Sequence, residues 1–263
     1  MPEHDNLILL ENAVRAAGEI ARKYYGGDYK RWNKAGGSPV TEADLAVDTF
    51  LKEILLAARP AYAWLSEESL DDPARLNAER VFVVDPIDGT VAFMKVRPHF
   101  TICAALVEEG RPIAACVYNP IAEEFFTAAV GAGARLNGAA IHVHDPGRIE
   151  GCRMLGPKTI FEGWPRMEIT SYSSIAYRVA LVAAGRHDAM MSLTTKRDWD
   201  LAAADLIVQE AGGLLSDEAG NPLIYNRASA MQRVSVAAGP MLHAALLARL
   251  RQKEGFGLPP IPK

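Results

Sequence analysis

Between residues 6 and 25 the apolar positions Leu7, Leu10, Val14, Ala17, Ile20, Ala21 and Tyr24 recur three or four apart. This spacing predicts an amphipathic helix, closed by Gly26-Gly27. The polar stretch from Asp28 to Ser38 reads as a loop or a loose hairpin. Thr41-Glu42-Ala43-Asp44 then predicts a helix start with Thr41 as N-cap, ahead of Leu45, Val47, Phe50, Leu51, Ile54 and Leu55, and Pro60 ends the helix.

The period then shortens. AYAWLS, VFVVD, FTICAALVE, PIAACVYNP and EFFTAAV are short runs rich in β-branched and aromatic residues and bounded by turn signals, so each predicts a strand. Glu109-Gly110-Arg111-Pro112 and Leu136-Asn137-Gly138 are the expected hairpin turns. Residues 1–150 are therefore expected to form a helix-plus-antiparallel-sheet lobe. From there on strands and helices alternate, which predicts an α/β lobe over 151–263. Its strands are expected at Arg153 to Gly156, Ala189 to Leu193, Leu214 to Ser216 and Ser235 to Ala238, and its helices at 174–184, 199–211 and 240–251. His142 and His144 fit alternate positions of one more strand, and the Pro/Gly-rich tail KEGFGLPPIPK is expected to pack loosely.

Composition narrows the function classes. Apolar residues make up 49% of the 263 and charged residues 23%, ordinary values for a globular chain with a substantial core. A net charge of −4 with no basic stripe points away from a nucleic-acid partner. No run approaches the ~18 uninterrupted apolar residues of a membrane span, and the start MPEHDNLILLENAV, acidic with a short apolar run, is not expected to act as a signal peptide. Cys103, Cys116 and Cys152 lie among apolar or small neighbours with no CxxC spacing, so buried free thiols and a cytoplasmic location are expected.

The chemistry is expected where acids end apolar elements. Asp85-Pro86-Ile87-Asp88-Gly89-Thr90 follows the buried-strand run VFVV, with Pro86 forbidding a simple continuation of the strand. Two carboxylates at the mouth of a core strand carry a desolvation penalty that a hard cation such as Mg²⁺ offsets. The Ile87 carbonyl could join them, and the N–H groups of Gly89 and Thr90 could meet an anion. Ser66-Glu67-Glu68-Ser69, Asp44 and Asp198-Trp199-Asp200 repeat the pattern. Each has a plain alternative: exposed loop acids, a helix-capping acid, or a first-turn acid with Trp199 as a staple. Together they suit a multi-metal phosphoryl-transfer site.

In this order, Pro39-Val-Thr-Glu-Ala-Asp44, Ser66-Glu-Glu-Ser69, Asp85-Pro-Ile-Asp-Gly-Thr90, Trp199-Asp200-Leu-Ala-Ala and Glu210-Ala-Gly-Gly213 resemble the inositol monophosphatase and 3'(2'),5'-bisphosphate nucleotidase superfamily over residues 6 to 250. The resemblance implies Mg²⁺-dependent, lithium-sensitive phosphomonoesterases with the layered α-β-α-β-α sandwich of the inositol monophosphatase/fructose-bisphosphatase type. It also implies two or three Mg²⁺ per site and a homodimer. Carried over, Glu67, Asp85 and the Ile87 carbonyl would bind a first Mg²⁺, and Asp85, Asp88 and Asp200 a second. Thr90, bonded toward Asp44, would orient and deprotonate the attacking water, with Glu67 counted among the catalytic groups. Asp88, Gly89, Thr90, Ser173, Ser174 and Asp200 would meet the substrate, a small phosphorylated metabolite.

Substrate choice lies outside these motifs. Inositol-specific members carry Gly-Thr/Ser-Ala where this chain has Ser173-Ser174-Ile175-Ala176, and a glutamate where it has Leu193. Asp88 to Lys95, Phe100 to Leu106 and Gly220 to Tyr225 look nearer the bacterial bisphosphate nucleotidase branch. A second phosphate would want a cation, for which Lys158, Arg178, Lys196 and Arg197 are candidates. A bisphosphate nucleotidase, an inositol or sugar monophosphatase, a histidinol-phosphate phosphatase and a regulatory binding partner all stay open.

Overall fold

The computed structural model describes residues 2–34 and 36–252. Helix α1 (Pro2–Tyr24) leads through a two-stranded antiparallel ribbon, β1 (Arg31–Asn33) and β2 (Pro39–Thr41), into α2 (Glu42–Ala58). There follow β3 (Ala63–Ser66), β4 (Arg80–Asp88), the short α3 (Thr90–Met94), β5 (Thr101–Glu108), β6 (Arg111–Asn119), β7 (Glu124–Ala129), β8 (Ala134–Leu136) and β9 (Ala139–Ala140). These seven strands form one sheet in sequential order. The sheet is not purely antiparallel as expected: β3 runs parallel to β4, and the remaining neighbours are antiparallel.

The second half supplies β10 (Arg153–Leu155), β11 (Glu168–Thr170), α4 (Ile175–Ala183), β12 (Ala189–Ser192), β13 (Lys196–Arg197), α5 (Asp198–Glu210), β14 (Leu214–Ser216), β15 (Met231–Gln232), β16 (Ser235–Ala238) and α6 (Pro240–Gln252). The second sheet has the order β11-β10-β12-β16-β14, and β13 pairs with β15 apart from it. The brief strands β11, β13 and β15 fall outside the runs that the sequence pattern marks as strands. His142 and His144 are exposed while Ile141 and Val143 are half-buried, yet no ladder forms there, so the expected strand is absent. The Pro/Gly-rich tail lies outside the described residues.

Burial explains the runs. On β4, Phe82 and Val84 face Leu10, Val14, Leu51 and Leu55 of α1 and α2. Val81 and Val83 face Ile175, Val179, Leu201 and Ile207 of α4 and α5. A strand covered on both faces has no polar side, so the alternation vanishes. On β12, Met190 joins that same α4/α5 layer, whereas Met191 packs with Leu242 and Leu246 of α6. Five layers result: α1/α2, the first sheet, α4/α5, the second sheet and α6. Residues on both sides of position 150 therefore share the middle core, and Ala202, Ala203 and Ala204 let α5 sit closely between the sheets. Glu109 and Gly110, both at positive φ, make the β5–β6 turn, and Asn137 and Gly138 make the β8–β9 turn, as the hairpin signals predict.

Candidate active site

Pro86 does not end its strand. β4 runs on through Asp88, with a bulge between two pairs: Asp85 opposite Cys103, and Asp88 opposite Thr101. Three steps along β4 match two along β5, so one residue is extra. The bulge removes Pro86 from the ladder, where its missing N–H would leave a gap. It also alters the facing of the acids. Residues three apart on a regular strand point to opposite faces. Here Asp85 and Asp88 oppose residues two apart and share the face toward α4 and α5.

Asp200 completes the group from α5. Asp85, Asp88 and Asp200 each offer a carboxylate oxygen, and these atoms lie within 4.8 Å of one another. The protein fixes each acid from one side. Asp85 Oδ1 accepts the Ile87 N–H at 3.0 Å, and Asp200 Oδ2 accepts the Arg197 N–H at 2.7 Å. Asp88 Oδ2 accepts from the Ser174 hydroxyl at 2.6 Å and the Ala176 N–H at 2.7 Å, at the start of α4. Helix α5 begins at Asp198 rather than at Trp199, so Asp200 is its third residue and reaches back to the N-cap Arg197. Trp199, inside the first turn, packs on the middle core.

Burial and mutual repulsion raise these carboxyls. Asp85 stands well above the ordinary carboxylate value, chiefly from burial and then from the charges of Glu67, Asp88 and Asp200. Asp200 is pushed up to about 7 by burial and by Asp88. Burial also raises Asp88, against its hydrogen bonds. Three acids turned toward one point suit a cation and oppose one another without it.

Asp44 is both the capping-box acid of α2 and a hydrogen-bond partner of Thr90. Its Oδ2 accepts from the Thr41 N–H at 2.8 Å and from the Thr41 hydroxyl, closing the capping box of α2. Its Oδ1 accepts from the Thr90 hydroxyl at 3.3 Å, while Thr90 also lies 3.2 Å from the Ile87 carbonyl. Burial lifts Asp44 to about 6 despite the Thr41 donors. Gly89 caps α3 at φ +99°, and Thr90 is its first residue, so the N–H groups of Gly89 and Thr90 have no acceptor within the helix.

Glu67 is not one of the three clustered acids, but its charge acts on Asp85 more strongly than that of Asp88 or Asp200. Lys34, from the ribbon before α2, places its ammonium 3.0 Å from Glu67 Oε1, 3.2 Å from the Glu67 carbonyl and 2.7 Å from Glu68 Oε1. Glu68 is not an exposed loop acid. Its side chain is buried, and burial raises it to about 7. Nothing in the sequence distinguishes Lys34 from Lys30 or Arg31 beside it. Ser173 is exposed, whereas Ser174 is fully buried and its hydroxyl is already committed. That hydroxyl donates to Asp88, caps α4 by accepting the Tyr177 N–H at 2.9 Å, and lies 3.0 Å from the Thr101 hydroxyl. Ser174 thus positions Asp88. The three cysteines are buried free thiols.

Gly89 cannot be replaced cheaply. A Cβ there would stand 3.1 Å from the His99 carbonyl and 3.2 Å from the Ser174 nitrogen, on a backbone in the left-handed region. Gly89→Ala is expected to cost about 2–4 kcal/mol of stability in thermal denaturation, and to reduce turnover by parting α3 from α4. An unchanged melting temperature would contradict this account of the close approach.

A family model described as the inositol monophosphatase family matches residues 4–255. The chain belongs to the inositol monophosphatase family. This makes it a phosphatase by class. Nus factor SuhB of Salmonella typhimurium is 32% identical over 272 residues, covering 95% of this chain and 97% of that protein. An inositol-1-monophosphatase of Rhizobium meliloti is 30% identical, covering 81% of this chain and 85% of that protein. Among solved structures, the extragenic suppressor protein SuhB of Bartonella henselae superposes with a TM-score of 0.85 at 28% identity, over 96% of this chain and 100% of that one. The IMPase of Thermotoga maritima gives 0.83 at 27% identity, over 94% and 97%. The layered fold of the family is thus the fold of this chain. Among the described residues no helix is long and apolar enough to cross a membrane.

Proposed function

We propose that the protein is a Mg²⁺-dependent phosphomonoesterase of small phosphorylated metabolites. The observation that carries this reading is the convergence of Asp85, Asp88 and Asp200 on one face of the bulged strand. Their donors are carboxylate oxygens, which suits a hard cation. The thiol beside them, Cys103, is held neutral by burial and sits 3.4 Å from the Thr101 hydroxyl, so the set lacks the soft ligand that zinc favours. Asp85, Asp88 and Asp200 would hold one ion, and Asp85, Glu67 and the Ile87 carbonyl another. When bound, Mg²⁺ lowers the pKa of water and offsets phosphate charge.

The chain's own groups supply position and proton transfer. The first-turn N–H groups at Gly89 and Thr90 would orient the phosphate. The Thr90 hydroxyl donates to Asp44, leaving its oxygen lone pairs to accept a proton from the attacking water. Asp44, titrating near 6, is ionised at neutral pH and matched to receive that proton through Thr90. Leu193 packs against the core beneath α6 and offers the site no hydroxyl acceptor, which favours a substrate other than inositol phosphate, including a nucleoside bisphosphate.

Phosphate release across nucleoside bisphosphates, inositol and sugar phosphates, and histidinol phosphate tests the reading. Activity with Mg²⁺ and none in EDTA is expected for at least one class. Thr90→Ala is expected to lower kcat about 10²–10³-fold with little change in KM, and Thr90→Ser to restore most of it. No turnover of any class would defeat the proposal. The name Nus factor carried by relatives favours a second role as a macromolecular partner. Complementation of a gene deletion by a catalytically silent Asp88→Asn variant would support that role.

A further inference from the structure

Asp88 and Asp200 are held in different ways. Asp88 is fixed from across the chain by Ser174 and Ala176, whereas the bond that holds Asp200, from the Arg197 N–H, lies within its own helix turn. The placement of Asp200 therefore depends on what fixes the first turn of α5. Asp198, the first residue of that helix, is fully buried and provides the anchor. Its Oδ1 accepts from Gln232 Nε2 at 2.7 Å and its Oδ2 from the Asn226 N–H at 2.7 Å. Its own N–H donates to the Ala230 carbonyl at 3.0 Å. Both carboxylate oxygens thus tie the turn to the segment between β14 and the end of β15, and Asp200 follows two residues later on the same rigid turn.

A buried arginine continues this chain of contacts. Arg75, 2% exposed, lies in a short 3-10 helix, Pro73–Asn77, between β3 and β4. Its Nη1 donates to Asn226 Oδ1 at 2.6 Å and to the Arg227 carbonyl at 3.1 Å. Its Nε and Nη2 meet the two oxygens of Asp71 at 2.5 and 2.9 Å. Asn226 Nδ2 returns a hydrogen bond to the Arg75 carbonyl at 3.3 Å. Asn226 stands at φ +56°, a conformation that asparagine tolerates, and serves Asp198 with its N–H and Arg75 with its side chain. The connection that carries Arg75 starts beside Glu67 and leads into the strand of Asp85 and Asp88. Arg75 and Asn226, 151 residues apart in sequence, therefore link the segment of those three acids to the turn that carries Asp200.

We propose that Arg75, acting through Asn226 and Asp198, is a positioning residue that sets Asp200 against Asp85 and Asp88 for cation binding. This rests on the Mg²⁺ site of the phosphatase reading and adds the residues that align it. Mg²⁺ tolerates little departure from octahedral geometry, so groups that orient its ligands act on its affinity. Two other roles predict different results. A purely structural network would stabilise the fold and leave the Mg²⁺ affinity of the folded protein alone. A purely electrostatic Arg75 would repel the cation, so its removal would tighten binding.

Calorimetric titration of the full chain with Mg²⁺, without substrate, separates these roles. Asn226→Gly is the decisive variant, since glycine keeps the positive φ and the N–H to Asp198 while deleting the oxygen that Arg75 bonds. It is expected to weaken Mg²⁺ binding about 10-fold, and Arg75→Met about 10- to 100-fold. Asn226→Asp keeps an acceptor for Arg75 and tolerates the left-handed region, so its Kd should stay within about threefold of the wild-type value. An unchanged or tighter Kd in Asn226→Gly overturns the proposal, even if its melting temperature falls and even if Arg75→Met does not fold. Equal weakening in Asn226→Asp also overturns it, because that variant retains the bond to Arg75. So does a wild type that binds no Mg²⁺. The phosphatase reading is tested separately. Weaker Mg²⁺ binding in Asn226→Gly, with no phosphate release by the wild type from any substrate, would sustain this inference and defeat the catalytic one. Phosphate release by the wild type, with equal Mg²⁺ affinity in the variant, would do the reverse.

Discussion

Asp88→Asn is expected to lower kcat for Mg²⁺-supported phosphate release by about 10³-fold or more, while raising the melting temperature of the metal-free protein. The two effects have one origin. Asp88 is buried, and its Oδ2 takes hydrogen bonds from Ser174 and Ala176 that an amide oxygen can also accept. The substitution therefore keeps the bulge and the start of α4. It removes a negative charge within 4.8 Å of the oxygens of Asp85 and Asp200, relieving repulsion that raises Asp200 to about 7. Relief of about 1–2 kcal/mol corresponds to a gain of about 2–6 °C for a chain of this size. Added Mg²⁺, which should stabilise the wild type, should move the variant little. Wild-type turnover in the variant would refute the metal-site assignment. A lower melting temperature would show that Asp88 is structural.

The stabilisation by Mg²⁺ is expected to grow with pH between 5 and 8. Asp85, Asp88 and Asp200 have folded pKa values above the ordinary carboxylate value, with Asp200 at about 7. Between about pH 4 and pH 7 the metal-free folded state thus binds more protons than the unfolded chain. Its stability from these groups is full below pH 4 and is lost as pH rises through their folded values. Each group contributes at most about 1.4 kcal/mol per pH unit in its window. The histidines His99, His187 and His243, lowered by burial, act with the opposite sign and destabilise the fold as pH falls below about 6.5. They act with and without metal, so the difference between melting temperatures in Mg²⁺ and in EDTA isolates the cluster. At pH 5 protons compete with the cation and the difference should be small. At pH 8 it should reach several degrees. A difference that is flat, or that grows toward acid, would mean that these acids do not form the cation site.

Much of this molecule is legible in short windows because the physics is local there. Thr41 with Asp44 closes a capping box within four residues, Glu109-Gly110 and Asn137-Gly138 supply the positive φ of tight turns, and VFVV reads as a strand buried on both faces. The acids at 44, 85, 88 and 200 are likewise visible as charges ending apolar elements, and their order suffices for the family. Pro86 shows where a local rule misleads. It forbids a regular ladder, and the chain satisfies it with a bulge instead of a strand end.

What pairs with what across the chain follows from the tertiary structure, since those contacts join residues far apart in sequence. The added residue in β4 brings Asp85 and Asp88 onto one face, where α5 delivers Asp200. The ribbon before α2 carries Lys34 to Glu67 and Glu68, and Ser174 is spent on Asp88. Arg178 was one of four equivalent cations in the sequence. Packing of α4 between two sheets buries most of it and gives its Nε the Ser174 carbonyl. The sequence alone determined the fold class, the family and the residue types of the site. Burial and register, which depend on distant segments closing over one another, decided which of those residues face the site.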